Sequence, residues 1–412
     1  MREMKDSGID GLGTIPKHWK IKRAKYACDS LSKYNGSFIK CISSTDIELI
    51  PSPKYISKGD ILFAGTGELV EEIGKNIVYM GEEKCLAGGD IVVMKHSLNP
   101  IFLNYALNCS YSQSQKSKGK AKLKVVHISA RDIGNILIAL PGINEQEKIA
   151  NFLDQKCSEI DALYSDISGQ ISTLEEYKKS VITEAVTKGL NPDVEMKDSG
   201  INCIGSIPLS WKIIKTKYIC QISIGLVTTM TTNYVQDPSE GVSLIRNGDI
   251  KINKIDTNGM VYLSQKFVEK NSNRRLKEND IVTVHTGNIG TSAIIENEFV
   301  GCVGFATIQS RPNRSIVNER YLCWFYNSNA FIEQCILHNT GDGRQNLNLY
   351  DFVDLWVALP DIKEQEIIAD YIDQKCSEID SLIREKKEQL KVLEEYKKSL
   401  IYEYVTGKKE VK

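Results

Sequence analysis

Two long stretches of the chain have apolar residues at heptad spacing and almost no helix-breaking residues. The first, 145–187, contains no proline and one glycine, and the second, 364–406, repeats its pattern with one interruption at Lys386. Each stretch would form a helix about 64 Å long at ~1.5 Å per residue. A single apolar stripe needs a partner to cover it, so we expect the two helices to pack against each other. The predicted packing positions are Leu153, Ile160, Ile167, Leu174 and Val181 in the first helix and Ile372, Ile379, Leu393 and Leu400 in the second, and an alternate seam would hold Cys157, Leu163, Ile171, Tyr177 and Ala185.

The sequence before each long helix predicts a mixed α+β domain. Short β-like runs at 60–63, 90–94 and 280–284 alternate with turns rich in Gly, Asn and Asp. Helical patches are predicted at 99–112 and 318–338, and apolar strands at 136–140 and 355–359 end at a proline. The long helices could act as a rigid spacer between these domains, as an oligomerisation coil, or as helices packed on their own domains. The heptad pattern alone leaves these interpretations open.

Two blocks of the sequence occur twice. The tryptophan block pairs 3–28 with 195–220 at an offset of 192, with 16 identities in 26 positions. The helix block pairs 140–187 with 359–406 at an offset of 219, with 29 identities in 48 positions. The stretches between the blocks, 29–139 and 221–358, share little sequence, and we call them the first and second insert. Such a long repeat excludes a solenoid and indicates a pseudo-two-fold molecule, suited to a target or partner that also comes in two copies.

Composition and charge limit the possible functions. The 412 residues are enough for two or three domains, and the net charge of −1 does not by itself indicate nucleic-acid binding. However, 17–143 hold 18 Lys/Arg against 11 Asp/Glu, whereas 144–187 hold 4 against 9. Eleven cysteines without a CxxC pair favour reduced thiols over disulfides or a zinc site. With no signal-peptide core and no membrane-spanning run, we expect a cytoplasmic protein that does not bind a membrane.

The first insert carries a lysine at every second residue from 116 to 124. In an extended chain, these lysines would lie on one face and could contact phosphates. The alternative is a solvated edge strand that its lysines protect from aggregation. The five positions are Lys116, Lys118, Lys120, Lys122 and Lys124.

The second insert has turns whose side chains suit contacts with DNA. Arg, Gln and Asn can make bidentate contacts with guanine and adenine edges, although turns are polar in most proteins. The candidates are Arg246, Asn247, Arg274, Arg275, His285, Thr286, Arg344, Gln345 and Asn346. In the first insert, base contacts could instead come from Ser43, Ser44, Thr45 or Thr66.

The sequence predicts no catalytic residue and no metal site. Residues 63–67 match the FxGxG pattern of adenosylmethionine-binding loops, but the chain has no Pro-Pro pair for the loop that holds a target amine. A strand that ends in a glycine turn explains this match better. There is no phosphate-binding GxxxxGKS/T loop, and the five histidines lack metal-ligand spacing.

The layout resembles the specificity subunits of Type I restriction–modification systems over essentially the whole chain. The resemblance rests on the Gly-x-Ile-Pro-x-x-Trp motif at 13–19 and 205–211 and on the Leu-Pro…Glu-Gln-Glu motif at 140–147 and 359–366. It also rests on the two long helices that flank dissimilar inserts. It implies an α+β fold with two mixed α/β target recognition domains in pseudo-two-fold arrangement, separated by two long helices packed as an antiparallel coiled coil.

The same resemblance implies a function. Each recognition domain would read one half of a bipartite, asymmetric sequence in double-stranded DNA, and the helices would set the gap and dock two methyltransferase subunits. Restriction subunits would join through the complex. The chain itself would catalyse nothing and bind no cofactor, with adenosylmethionine, and ATP with Mg in the full complex, on the partner subunits. The implied segments are 1–143, 144–188, 189–361 and 362–412.

Two alternatives from other functional classes remain at this point. One is a coiled-coil scaffold without DNA specificity. The other is a stand-alone DNA adenine methyltransferase, which the missing Pro-Pro loop disfavours.

Overall fold

The computed structural model describes residues 2–9, 11–33, 55–70, 73–83, 85–88, 90–120, 126–227, 231–339 and 343–411. The chain divides into two compact units, Met1–Gly169 with Lys386–Lys412 and Gln170–Glu385. Each unit includes part of both long helices, whereas the boundaries expected from the sequence treated those helices as separate segments. Lys122 and Lys124, as well as 43–45, lie outside the described residues.

The elements of the chain are numbered in order. Up to Lys188 the strands are β1 Met4–Asp6, β2 Thr14–Pro16, β3 Lys20–Arg23, β4 Ser30–Lys33, β5 Tyr55–Ile56, β6 Ile61–Ala64, β7 Thr66–Gly67, β8 Asn76–Val78, β9 Cys85–Leu86, β10 Ile91–Lys95, β11 Val126–His127 and β12 Leu137–Leu140. The helices are α1 Pro100–Asn108, α2 Ser110–Ser117, α3 Ala130–Gly134 and α4 Ile143–Lys188.

The remaining elements follow the same plan with additions. The strands are β13 Met196–Asp198, β14 Ser206–Pro208, β15 Lys212–Lys215, β16 Cys220–Ile224, β17 Tyr234–Val235, β18 Gly241–Arg246, β19 Ile250–Lys251, β20 Lys254–Ile255, β21 Val261–Ser264, β22 Ile281–Val284, β23 Ser292–Ile294, β24 Val303–Phe305, β25 Thr307–Pro312 and β26 Trp356–Leu359. The helices are α5 Thr216–Ile219, α6 Gln265–Lys270, α7 Glu319–Tyr326, α8 Asn329–Leu337, α9 Leu349–Phe352 and α10 Ile362–Val405.

Each unit is built on an antiparallel four-stranded sheet with the same strand order. The order is β4-β10-β6-β8 in the first unit and β16-β25-β22-β23 in the second. In both sheets the strand that comes last in the sequence lies between the first and the second. The two inserts therefore share a scaffold even though their sequences share little.

The second unit is larger because of one addition. The segment between β16 and β22, 225–280, is about twice as long as the equivalent segment between β4 and β6, 34–60. The addition contains the hairpin β19-β20 and most of a further sheet of order β17-β21-β18-β24. A small core that includes Leu244, Leu263 and Val303 holds this sheet together.

The long helices form as predicted and pair antiparallel within each unit. In the first unit, Leu153 and Ile160 near the start of α4 share a core with Leu400 and Val405 at the end of α10. In the second unit, Ile182 and Val186 near the end of α4 share a core with Ile368 and Ile372 of α10. No helix in the described ranges is long and apolar enough to cross a membrane.

Burial agrees with most of the heptad positions but not with the whole alternate seam. Leu153, Ile160, Val181, Ile372, Ile379 and Leu400 are buried, and Ile167, Leu174 and Leu393 are half-buried. The alternate seam is wrong at Leu163 and Tyr177, whose exposed fractions are 52% and 54%. A straight α-helix drifts from a seven-residue repeat, so one stripe cannot stay covered along the whole helix.

The predicted strands and short helices are also present, but each of the two predicted short helices is broken once. The runs at 60–63, 90–94 and 280–284 correspond to β6, β10 and β22. The predicted helix at 99–112 is divided into α1 and α2 at Cys109, and that at 318–338 into α7 and α8 at Asn327 and Ser328. In the second case the Ser328 hydroxyl accepts a hydrogen bond from the Phe331 amide and begins a new helix.

Candidate nucleic-acid interface

The two repeated blocks meet at a buried tryptophan in each unit. Trp19 is fully buried, and its Nε1 donates to Glu145 Oε2 at 3.1 Å. Trp211 is also fully buried, and its Nε1 donates to Glu364 Oε2 at 3.0 Å. The Trp of one motif and the first Glu of the other are thus hydrogen-bond partners. Partial burial raises the pKa of Glu364, which the Trp211 donor partly offsets.

The Gln of each Glu-Gln-Glu motif joins the long helix to the insert. Gln146 Nε2 donates to Pro141 O at 3.0 Å, and its Oε1 accepts from the Asn99 amide at 3.1 Å. Gln365 makes the equivalent bonds to Pro360 O (2.9 Å) and to the Asn318 amide (2.8 Å). Asn99 and Asn318 in turn cap α1 and α7. A buried glutamine with all these partners fixes where the domain begins.

The repeat extends further upstream than sequence identity indicates. Asn108 makes two hydrogen bonds with the backbone of Asn76 on the edge strand β8. Its Oδ1 accepts from the Asn76 amide at 3.2 Å, and its Nδ2 donates to Asn76 O at 2.7 Å. Asn327 is its equivalent at the offset of the helix block and makes the same two bonds with Ser292 on β23. Its Oδ1 accepts from the Ser292 amide at 3.0 Å, and its Nδ2 donates to Ser292 O at 2.9 Å. Gln115 and Gln334 likewise each exchange two hydrogen bonds with the backbone of the strand before the long helix. The offset of the helix block therefore applies from Asn99 onward.

Acidic residues of the identical DQKCSEID segments contact the insert and the opposite helix. Asp154 accepts from Tyr105 at 3.4 Å, and Asp373 accepts from Trp324 Nε1 at 2.7 Å. Two turns further along α4, Asp161 pairs with Lys397 at 2.6 Å. The equivalent Asp380 pairs with Lys178 at 2.7 Å. Each ion pair joins α4 to α10, and each lies within its own unit.

Four of the predicted contact residues come together at the end of β22. The Thr286 hydroxyl donates to Asn346 Oδ1 at 3.0 Å and is 2.8 Å from His285 Nδ1. The His285 amide donates to Asn247 Oδ1 at 2.8 Å, and Asn247 Nδ2 donates to Ala306 O at 3.1 Å. We call Asn247, His285, Thr286 and Asn346 the polar cluster. Half-burial lowers the pKa of His285, because desolvation disfavours the imidazolium.

The neighbouring Arg and Gln complete the surface around this cluster. Arg344 and Gln345 are exposed, and the Gln345 carbonyl accepts from the Gly287 amide at 3.0 Å. Gly287 has a φ of +105°, a conformation that side chains rarely adopt, and the Arg344 guanidinium lies beside it. The loop thus presents one guanidinium and one amide to solvent next to the polar cluster, as base or phosphate contacts require.

The first unit has an equivalent site built from different residues. Thr66 pairs with His127 across β7 and β11, as Thr286 pairs with Asn346 across an isolated bridge. The Ile128 amide donates to Gly65 O at 2.9 Å, and the Leu347 amide donates to His285 O at 3.0 Å. The FxGxG match therefore belongs to a strand and its turn. His127 is not among the residues predicted from the sequence, although it is equivalent to Asn346 at the offset of the helix block, and that offset is the signal that identifies it.

The interpretation of the lysine row as one extended face is wrong. Lys116 lies in α2, is 2% exposed, and donates to Gly74 O (2.7 Å) and Asn76 Oδ1 (2.9 Å). Burial lowers its pKa to about 7. Lys118 is exposed, whereas Lys120 pairs with Asp132 at 2.9 Å. The packing of α2, which the Gln115 hydrogen bonds attach to β12, overrides the alternating pattern.

The remaining arginine candidates lie in other environments. Arg246 makes a bidentate pair with Asp249, at 2.8–2.9 Å, and donates to Gly259 O, so most of its donors are used within the domain. Arg274 and Arg275 line a pocket that contains none of the polar cluster. The candidates of the second insert therefore fall into three groups: the polar cluster with its neighbours Arg344 and Gln345, the paired Arg246, and the two arginines that line the pocket.

Comparison with known proteins gives consistent similarities. The family model for the Type I restriction modification DNA specificity domain matches residues 208–392. The specificity subunit of the type I restriction enzyme MjaVIII from Methanocaldococcus jannaschii is 24% identical over 387 residues, which cover 92% of this chain and 84% of that relative.

Solved structures share the fold. A chain from a structure on the complex assembly and conformational transition of the type I R-M system has a TM-score of 0.71 at 16% identity, with 95% of this chain and 99% of that chain covered. The HsdS subunit from Thermoanaerobacter tengcongensis has a TM-score of 0.50 at 15% identity, with 95% and 98% covered.

These similarities agree with the duplicated blocks, the two equivalent sheets and the paired long helices. They support neither a scaffold without DNA specificity nor a stand-alone methyltransferase. The chain therefore matches the Type I restriction modification DNA specificity domain over 208–392 and is similar, along most of its length, to the specificity subunits, the DNA sequence-recognition subunits, of Type I restriction–modification systems.

Proposed function

We propose that each unit reads one half of a bipartite, asymmetric DNA sequence and that the long helices set the gap between the halves. The observation that carries this proposal is the pair of equivalent sites with different side chains. Thr66 and His127 occupy the positions that Thr286 and Asn346 occupy in the second unit. One scaffold with two different reading surfaces is suited to two different half-sites.

The contacts expected from the described residues differ between the units. In the second unit, the polar cluster with Arg344 and Gln345 would contact base edges. In the first unit, Thr66 and His127 would do so, with Lys118 as a phosphate contact. Lys116 is excluded from this role by its burial.

The long helices would also dock two methyltransferase subunits, one for each copy of the helix block. Tyr177 and Tyr396 are equivalent in the repeat, and their exposed fractions are 54% and 55%. Packing within a unit does not require a tyrosine at an exposed position, yet both copies have one. Identical exposed residues in two copies suit two copies of one partner.

Methyl transfer would then belong to the partner subunits, which would hold adenosylmethionine, while restriction subunits would use ATP and Mg. The chain incubated alone with DNA and adenosylmethionine should transfer no methyl groups. Addition of the methyltransferase subunit should restore transfer at a split sequence, identified by sequencing the methylated DNA. Methylation at a continuous sequence, or transfer by the chain alone, would contradict the proposal.

Partner docking has its own test. Tyr177→Ala should remove one methyltransferase subunit from the complex, and adding Tyr396→Ala should remove both, as measured by the mass of the complex in solution. Tyr164→Ala is the matched control, because Tyr164 is also exposed on α4 but its repeat position holds the buried Ile383. Loss of a subunit in the control alone would contradict the assignment.

A further inference from the structure

A polar pocket of about 310 Å³ opens on one face of the sheet in the second unit. Alternate residues of β25 point to opposite faces. Ile308 packs into the core formed with α7 and α8, whereas Gln309 and Arg311 line the pocket on the other face. In the first unit the residue equivalent to Gln309 is Val93, which is buried against Ile56. The pocket is thus a feature of the second unit's own sequence.

The pocket carries an excess of positive charge. Arg311 is neutralised by the buried Asp280, to which it donates two hydrogen bonds of 2.8 and 2.7 Å. Arg274 and Arg275 have no carboxylate within ion-pair distance in the described part of the chain. Their only side-chain hydrogen bonds there go to backbone carbonyls, from Arg274 Nη1 to Ile224 O at 2.6 Å and from Arg275 Nη1 to Gly301 O at 3.5 Å. Most of the donors on these two guanidinium groups have no partner among the described residues.

The wall of the pocket also contains a buried donor without an acceptor. Gln309 is 7% exposed, and its Nε2 has no hydrogen-bond partner among the described residues. Buried polar groups are nearly always hydrogen-bonded, so an acceptor from outside the chain, a water or a ligand, would satisfy this donor. An amide N–H beside two half-buried guanidinium groups is a set of donors only, which is the chemistry that binds an anion with several acceptor oxygens.

We propose that this arginine pocket, lined by Arg274, Arg275, Arg311 and Gln309, binds a phosphate group. The planar guanidinium fork matches the oxygens of a phosphate, and two such forks with an amide donor can satisfy three of them. The phosphate comes either from the DNA backbone or from free inorganic phosphate. The backbone source rests on the proposed function, in which this unit contacts DNA, and the free source does not.

The first arm of the test uses inorganic phosphate and the full chain. Arg274→Ala with Arg275→Ala should weaken phosphate binding, measured by titration calorimetry, by at least about tenfold, since each removes charge-assisted hydrogen bonds. Gln309→Val, which copies the residue of the first unit, should fold normally and also weaken binding. Arg314→Ala is the matched control, because it removes one positive charge from an exposed arginine outside the pocket. Unchanged binding in both pocket variants would overturn the phosphate site.

The second arm distinguishes the source with DNA and the complex that contains the methyltransferase subunits. If the pocket holds a backbone phosphate, the double variant should reduce the slope of log affinity against log salt by about 0.9 per lost contact. Arg314→Ala should leave the slope unchanged. A slope unchanged in the double variant, together with lost binding of inorganic phosphate, assigns the pocket to free phosphate.

The two arms also separate this inference from the proposed function. Loss of preference for the target sequence in the unmodified complex would refute the proposed function and leave the phosphate titration valid. If the complex prefers its target sequence, but the pocket variants change neither phosphate binding nor the salt dependence of DNA affinity, the phosphate pocket alone is refuted.

Discussion

Single asparagines carry much of the equivalence between the two units. Asn327 is 2% exposed and satisfies both backbone groups of Ser292 on the edge strand β23. Asn327→Ala would leave an amide and a carbonyl unpaired inside the domain. We expect a loss of about 2–3 kcal/mol in the free energy of unfolding of the second unit, measured by chemical denaturation. Asn329→Ala, at an exposed position two residues later, should have little effect; an equal loss there would contradict this role.

The burial of Lys116 predicts an unusual dependence of stability on pH. Its pKa falls from 10.5 to about 7 in the folded chain, so between these values the unfolded chain binds the extra proton. The free energy of unfolding should therefore rise with pH from about 7 to 10, by about 1 kcal/mol per pH unit. The penalty of charging Lys116 is fully present below pH 7.

Two variants test whether the pH dependence of stability comes from Lys116. Lys116→Met should remove the rise and stabilise the first unit at pH 7 or below, because it keeps the volume and removes the buried charge. Lys118→Met, at an exposed lysine two residues later, should retain the rise. A rise that survives Lys116→Met would assign the pH dependence to another group.

At the residue scale, the composition of the candidate site was only partly predictable from the sequence. The sequence identified Asn247, His285, Thr286 and Asn346 one at a time, as polar residues in turns. It did not indicate that the segments of Asn247, of His285 and Thr286, and of Asn346 meet, because their contact depends on the order of the strands in the sheet. It also did not indicate His127, since the clear sequence identity of the helix block begins only at Leu140.

At the scale of elements, the two ion pairs between α4 and α10 are related by the repeat. Asp380→Lys should place two lysines together and lower the stability of the second unit by about 0.5–1 kcal/mol, given the half-exposed site. Adding Lys178→Asp should restore most of the loss, measured by thermal unfolding in low salt. Equal loss in the single and double variants would show that the pair contributes nothing.

Local patterns predicted the elements well where one period dominated. The heptad predicted both long helices with only small differences at their ends, and β6, β10 and β22 lie where alternation and turns placed them. The lysine row was wrongly predicted to be extended, because a lysine at every second residue is also the pattern of a strand with one polar face. In the structure, Tyr111 and Lys116 of α2 are both buried inside the first unit. Tertiary packing therefore decides that this segment is helical.

At the scale of the whole chain, the repeat predicted a frame that is used twice, and the patterns within the inserts predicted the mixed domains that the structure has. The sequences of the two inserts share little, so a common strand order was not predicted. Their sheets nevertheless have the same strand order, and the features that they share are a few Asn and Gln side chains that bind backbone groups. Sequence identity underestimates similarity when polar anchors are few and the apolar core is interchangeable.

If each unit reads its own half-site, the two units recognise DNA independently of each other. The direct measurement is the methylated sequence of the complex after residues 29–139 are replaced by the corresponding insert of another specificity subunit. One half of the bipartite sequence should change, while the other half and the gap stay as they were. A change in both halves, or in neither, would contradict the assignment of one half-site to each unit.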